Sequence, residues 1–260
     1  MQKEIIKFSE SCVFEGMTSI RSIISAIDNL VSDRRIERIF YDKARYSAIY
    51  KHLGYLRAVK DRYGFEILES TASELDGLTV GNSHGGIIAL CSERHIPLLS
   101  SESIIKPNGL YVMIQGIEDP YNFGYALRSL YACGVDGIIL SPRNWMSAAG
   151  VVCRSSAGAS ELFDMKLAES IESTISIFKS NGYSIVCADE RTDNVLGKIP
   201  LPLPILLIIG GEKRGISRAV IDLCDIRVKI AYALEFNASL SAASAATMFA
   251  YEIARQNSIK

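Results

Sequence analysis

LYVMIQGIEDPYNFGYALRSLYACG, residues 110–134, is the stretch on which the fold turns. Leu110 to Gln115 is short, apolar and β-prone, the signature of a buried strand. Asp119, Pro120 and Asn122 break that run with turn chemistry. From Gly124 onward Ala126, Leu127, Leu130 and Tyr131 recur at helical spacing, and Gly134 stands where a helix stops. A strand, a polar turn and a helix place Asn122 and Arg128 beyond a strand's carboxyl end, the edge at which open α/β sheets bind ligands. A guanidinium about one and a half helical turns past an Asn suits a phosphate or a hydroxyl. The same residues also suit a plain connecting loop with a capping Asn and a solvated Arg.

The chain after this stretch keeps alternating. Gly137–Ser141 reads as a strand, Ile171–Ser180 as a helix and Tyr183–Ala188 as a strand. Between them lies Arg154-Ser-Ser-Ala-Gly-Ala159, whose small residues suit a tight turn approached by another backbone. ILLIIGGEKRGIS, residues 205–217, is a strand followed by a glycine-rich loop that can bring backbone groups up to a flat ligand. It is neither a Walker A loop nor a dinucleotide fingerprint. Glu212 in that loop suits a hydrogen bond to a ribose or, more plainly, a cap on a short helix near Ser217. VKIAYALEFNASLSAASAATMFAYE, residues 228–252, reads as strand, loop and a helix opening near Ser239.

The first ninety residues form a second series of strands and helices. Ile20, Ile23, Ile24, Ile27 and Leu30 share one helical face, Arg35–Tyr41 alternates like a strand, and Ala44–Tyr63 is a second helix. Phe65–Leu68, a short helix at Ser73–Leu78 and the strand HGGIIALC at 84–91 complete a small α/β/α unit. Within Val31–Gly64 nine basic residues face four acidic ones, with Tyr41, Tyr46, Tyr50, Tyr55 and Tyr63 interleaved. Aromatic rings among cations suit stacking on unpaired RNA bases, and they equally suit a solvated helix whose rings pack inward. His84 reads as a turn residue rather than a catalyst.

With 260 residues, 48% of them hydrophobic, the chain can bury a full core and is not disordered. A net charge of −1 gives no global nucleic-acid signal. The six cysteines never form a C-x-x-C pair and read as small core residues in a reducing cytosol. No metal site is expected from three histidines, Cys91 and His95 being the one suggestive pair. No segment approaches eighteen uncharged apolar residues, so a soluble, cytoplasmic protein without a membrane span is expected.

Taken together, these stretches resemble the SpoU (TrmH) family of SPOUT RNA methyltransferases. The first family motif, D-P-x-N-x-G-x-x-x-R-x-x-x-x-x-G, is matched by Asp119, Pro120, Asn122, Gly124, Arg128 and Gly134. The family's small-residue segment is matched by Arg154, Ser156 and Gly158, and the second motif, G-x-E-x-x-G-[LI]-S, by Gly210, Glu212, Gly215 and Ser217. The third, I-P-M…S-L-N-x-S-x-A…Y-E, is matched by Ile230, Ser239, Leu240, Ala245, Tyr251 and Glu252. Ala231 and Tyr232 stand for its Pro and Met, Ser241 for its Asn and Ala243 for its second Ser, with Asn237 a nearby amide. Ser83, His84 and Gly86 resemble a marker of the ribosomal-protein-like domain that precedes many such enzymes.

The resemblance implies an α/β fold: a catalytic domain at 109–260 with a deep trefoil knot, a linker at 98–108 and an RNA-binding domain at 1–97. It implies S-adenosylmethionine held by Gly210, Gly211, Glu212, Ile230, Ser239 and Leu240. Arg128, Asn122, Glu212 and Ser239 would carry methyl transfer to a ribose 2′-hydroxyl. Arg34, Arg35, Arg38, Arg45, Lys51, Arg57 and Arg154 would contact RNA, ribosomal by analogy, in a homodimer. The altered third motif leaves open a non-catalytic RNA-binding relative, and transfer RNA remains an alternative substrate. An unrelated nucleotide-dependent α/β enzyme is disfavoured because the dinucleotide fingerprint is missing.

Overall fold

The computed structural model describes residues 13–79, 84–117, 119–141, 148–211 and 215–257. In chain order the first elements are β1 (Val13–Glu15), α1 (Gly16–Asp28), β2 (Ile36–Asp42), α2 (Tyr46–Tyr63), β3 (Glu66–Ser70), α3 (Ala72–Asp76) and β4 (Ile87–Cys91). Next come β5 (Leu110–Ile114), α4 (Pro120–Ala132), β6 (Gly137–Leu140), α5 (Ala149–Ser155), α6 (Ala159–Leu162) and β7 (Asp164–Leu167). The chain closes with α7 (Ile171–Ser180), β8 (Ser184–Ala188), β9 (Ile205–Ile209), α8 (Arg218–Leu223), β10 (Ile226–Val228) and α9 (Ala242–Gln256). They form two compact units, Met1–His95 with Trp145–Leu162, and Ile96–Asn144 with Phe163–Lys260.

The first unit is a four-stranded sheet in the order β1-β4-β2-β3, parallel between β2 and β3 and otherwise antiparallel. Its core joins Ile20, Ile23 and Ile24 of α1 to Ile49, Leu53 and Leu56 of α2 and to Ile39 and Ile87 of the sheet. Helix α1 ends at Asp28, so Leu30 leaves the expected apolar face, adopts φ 57 and is 92% exposed. Gly64 terminates α2 in the left-handed conformation, where a side chain would be strained. Segment 148–162, which the sequence places in the catalytic domain, belongs to this unit. Cys153 enters its core, and Glu161, 3% exposed, pairs with Arg34, 2% exposed, at 3.0 Å. Arg94, also buried, donates to the carbonyls of Ser160 at 3.1 Å and Val31 at 3.0 Å.

The second unit is a six-stranded, all-parallel sheet in the order β10-β8-β9-β5-β6-β7. Its central strands β5 and β9 are buried at every residue, as expected of apolar runs covered on both faces. Helix α4 begins at Pro120, four residues earlier than the apolar spacing predicts. Asp119 caps it, accepting from the Asn122 amide at 3.0 Å, and Pro at the first helical position is preorganised for the turn. Asn122 therefore sits in the first turn of α4, not in a loop, and Asp119 is the cap. The expected linker is likewise packed: Leu99 donates its amide to Leu167 at 2.7 Å, and the Tyr183 hydroxyl donates to the Lys106 carbonyl.

Candidate active site

Strands β8, β9 and β10 lie side by side and parallel, so their carboxyl ends open on the same edge of the sheet. A cavity of about 720 Å³ lies there. Its walls are Ala188–Arg191 after β8, Ile209–Gly211 with Gly215 and Ile216 after β9, and Val228–Tyr232 around the end of β10. Phe236, Ser239 and Leu240 of the next loop close it together with Ala242, Ala245 and Phe249 of α9. This is the position at which parallel α/β sheets take ligands.

The glycine loop after β9 folds back on itself, the Gly215 amide donating to the Gly211 carbonyl at 2.9 Å. A Cβ on Gly211 would lie 2.6 Å from the Gln115 carbonyl oxygen and 2.7 Å from the Gly116 backbone. The close approach that the sequence allots to a ligand is thus also made between segments of the protein. Ile230, Ser239 and Leu240 line the cavity as the family pattern implies. Ser241, standing where the family has Asn, caps α9 by accepting from the Ser244 amide at 3.1 Å. Asn237 is exposed and is not among the lining residues.

Asp189 is a lining residue that sequence reasoning missed. It is buried, and it accepts from Arg191 through Nε at 2.9 Å and the backbone amide at 3.2 Å. Burial pushes its carboxyl pKa up, but the hydrogen bonds and charge of Arg191 outweigh this and hold it below the usual carboxylate range. Tyr232 and Phe236 were also missed as site residues. An acidic residue directly past β8 and two aromatics four and eight positions past β10 were the available signals.

Arg128 is exposed on α4, on one stripe with Tyr121 and Tyr125, and has no hydrogen-bond or ion-pair partner among the described residues. Neither Arg128 nor Asn122 lines the cavity, so the single chain does not bring the two halves of the expected site together. Glu212 lies outside the described residues. Helix α4 packs on α9, whose Met248 and Tyr251 are exposed at 43% and 63%.

In the first unit, the expected RNA contact Arg34 is corrected: its guanidinium is buried, stacked over Phe14 at 4.6 Å and bonded to Glu161 and the Ser92 carbonyl. Arg154 is tied to Glu15 at 2.6 Å, which gives it a structural task. Arg35, Arg38, Arg45, Lys51 and Arg57 are exposed. Tyr46 and Tyr50 are exposed too, with Arg57 over the Tyr46 ring at 5.8 Å, whereas Tyr41 is buried and donates to Glu69. His84 is a buried turn residue, Nδ1 accepting from the Gly86 amide and Nε2 facing Asp76, both at 3.0 Å.

Residues 109–251 match the SpoU rRNA Methylase family. The chain belongs to that family. A Staphylococcus haemolyticus protein carrying the name of a TrmH family tRNA/rRNA methyltransferase is 30% identical over 188 residues, 71% of this chain and 75% of its own length. Among solved structures, an RNA 2′-O ribose methyltransferase aligns over 94% of this chain and 88% of its own, at 22% identity and TM-score 0.75. The SpoU methyltransferase AviRb of Streptomyces viridochromogenes, in complex with AdoMet, aligns over 94% and 89%, at 23% identity and TM-score 0.75. At these identities the structures establish that this SpoU chain shares their fold. No described helix is long and apolar enough to cross a membrane.

Proposed function

We propose that this SpoU protein transfers a methyl group from S-adenosylmethionine to a ribose 2′-hydroxyl of RNA, and that it does so as a homodimer. The observation that carries the reading is the cavity at the ends of β8, β9 and β10. Its 720 Å³ is in the range of small-molecule sites, and Gly210, Gly211, Ile230, Ser239 and Leu240 line it in the order the family motifs imply. These residues fit the cofactor, offering apolar walls for a flat ring and loop backbone for its polar edge. In the family fold the surrounding chain forms a trefoil knot, consistent with the contact of Gly211 on Gly116.

When bound, S-adenosylmethionine supplies a methyl group on a sulfonium, already a good leaving group. The protein has to align an oxygen with it and accommodate loss of a proton. Arg128 does not act as a base, because a guanidinium has no lone pair free to take a proton. It steers the 2′-oxygen and an adjoining phosphate, with Asn122 in the first turn of the same helix helping to position the ribose and the proton leaving late. Because Arg128 shares an exposed stripe with Tyr121 and Tyr125, beside exposed Met248 and Tyr251 of α9, that apolar face pairs with its copy and delivers Arg128 to the partner's cavity. The exposed Arg35, Arg38, Arg45, Lys51 and Arg57 supply a local positive field for RNA although the whole chain is nearly neutral. Ribosomal RNA is the proposed substrate, by family analogy.

The test uses tritiated S-adenosylmethionine with total ribosomal RNA and total transfer RNA. Label should appear in alkali-resistant dinucleotides, the mark of 2′-O-methylation. Arg128→Ala should lose at least about a hundredfold in rate while keeping cofactor affinity by calorimetry. Label in the bases refutes the chemistry, and equal labelling by both proteins refutes the role of Arg128. No cofactor binding favours the RNA-binding relative, and a monomer in light scattering removes the shared site.

A further inference from the structure

The loop between β10 and α9 leaves nine consecutive residues, 231–239, exposed to water. Three of them are large and apolar: Tyr232 is 43% exposed, Leu234 81% and Phe236 59%. Apolar rings held in water forgo the gain that burial would bring, so a loop that keeps them there has another use for them. Tyr232 and Phe236 differ from Leu234 in also lining the cavity. Among the described lining residues they are the aromatic ones that stay exposed, since Phe249 is only 1% accessible.

The pair is held in place. The Tyr232 hydroxyl accepts from the Leu240 amide at 3.2 Å, a bond that ties the start of the loop to its end and fixes the tyrosine ring across it. Phe236 meets that ring edge-on, with centroids 6.0 Å apart and planes at 62°. An edge-on contact engages at most one face of a ring and leaves the other clear of that neighbour. Phe236 is therefore braced on one side and open on the other, at the rim of the cavity.

We infer that Phe236, braced by Tyr232, is the stacking platform for the base of the nucleotide that receives the methyl group. The inference rests on the methyl-transfer reading of the cavity. A ribose oxygen in line with a donor inside that cavity must approach to about 3–3.5 Å, which leaves the base of the same nucleotide at the mouth, where the exposed ring stands. Stacking on a ring face requires an unpaired base and tolerates any of the four, so this platform favours a looped-out nucleotide without choosing its identity.

The experiment compares wild type, Phe236→Ala, Phe236→Trp and a protein with p-azidophenylalanine at position 236. Total ribosomal RNA and total transfer RNA serve as acceptors. Phe236→Ala should keep S-adenosylmethionine affinity within about threefold by calorimetry and lose roughly tenfold or more in kcat/KM for RNA. Phe236→Trp, which retains a ring face, should recover most of that loss. On irradiation the azide should join the protein to RNA. A parallel fall in cofactor affinity would mean the ring serves the cofactor, and a protein–protein cross-link would mean it is an interface between copies. Either result overturns the platform, as does an unchanged kcat/KM for RNA. Wild type that binds no S-adenosylmethionine overturns the methyl-transfer reading and with it the acceptor role of Phe236, whereas wild type that binds the cofactor and gives any of the three results above overturns the platform alone.

Discussion

The segment Arg154–Ala159 and the glycines Gly210, Gly211 and Gly215 after β9 both match family motifs, yet the fold uses them in opposite ways. The first packs into its unit: Ser156 is 1% exposed, Ala159 6%, and a Cβ on Gly158 would lie 1.9 Å from the Ser22 hydroxyl. The second has one side pressed on the Gln115–Gly116 backbone and the other open to a cavity. Glycine density reports that something comes close. Whether that is a neighbouring helix or a ligand depends on where the strand ends lie, and only the second loop follows a strand of the parallel sheet.

The strongest challenge to this contrast is Arg34→Ala. It leaves the Glu161 carboxylate buried without its guanidinium, and should lower stability by about 3–5 kcal/mol in urea unfolding. A loss below about 1 kcal/mol would mean that segment 149–162 is not integral to the first unit. Gly158→Ala comes next, at roughly 2–4 kcal/mol, because φ is +88 and Ser22 occupies the space. Ser22→Gly in the same protein should return part of the loss. Gly211→Ala should cost less stability, about 1–3 kcal/mol, but at least about tenfold in cofactor affinity by calorimetry. If affinity survives, the loop after β9 is packing alone and the contrast fails.

The smallest effect is expected at Glu252, where Arg255 and Gln256 hydrogen-bond the carboxylate at 2.8 Å and hold its pKa at about 2 instead of 4.5. A carboxyl whose pKa falls on folding stabilises above its unfolded value and loses that contribution as pH drops towards the folded one. Glu252→Gln should therefore lower Tm slightly at neutral pH, by an equivalent of about 0.5–1 kcal/mol. The two melting curves should converge between pH 4.5 and about 2. A gap that persists at the acid end would show that charge is not what Glu252 contributes.

Much of the architecture was legible because it is written in local apolar runs. β5 and β9 are continuous apolar stretches, β8 is one after its first serine, and α7 has its capping Ser170 in place. Strand β7, Asp164–Leu167, escaped because DMKL alternates over only four residues and buries Lys166, which the alternation would leave outside, through its pairing with Asp164. Helices α5 and α6 escaped because Ser, Ala and Gly carry little periodicity. The partnership of Arg34 with Glu161 spans 127 positions, and nothing local distinguishes that arginine from exposed Arg35 beside it. In the site, glycine and serine positions could be aligned with a family pattern. Asp189 and Phe236 are visible only once the sheet order puts three strand ends together.

The discontinuous first unit bears on how this protein is made and cut. Synthesis runs from one end, so the carboxylate that neutralises Arg34 leaves the ribosome only after β5, α4 and β6 have emerged. Until then α1 and β1 lack the α5 and α6 surfaces that cover them. A fragment trimmed at residue 97 would carry that open flank permanently, along with a stranded buried cation. Anyone seeking the amino-terminal half by itself would do better to graft residues 148–162 back onto it than to stop at the apparent linker.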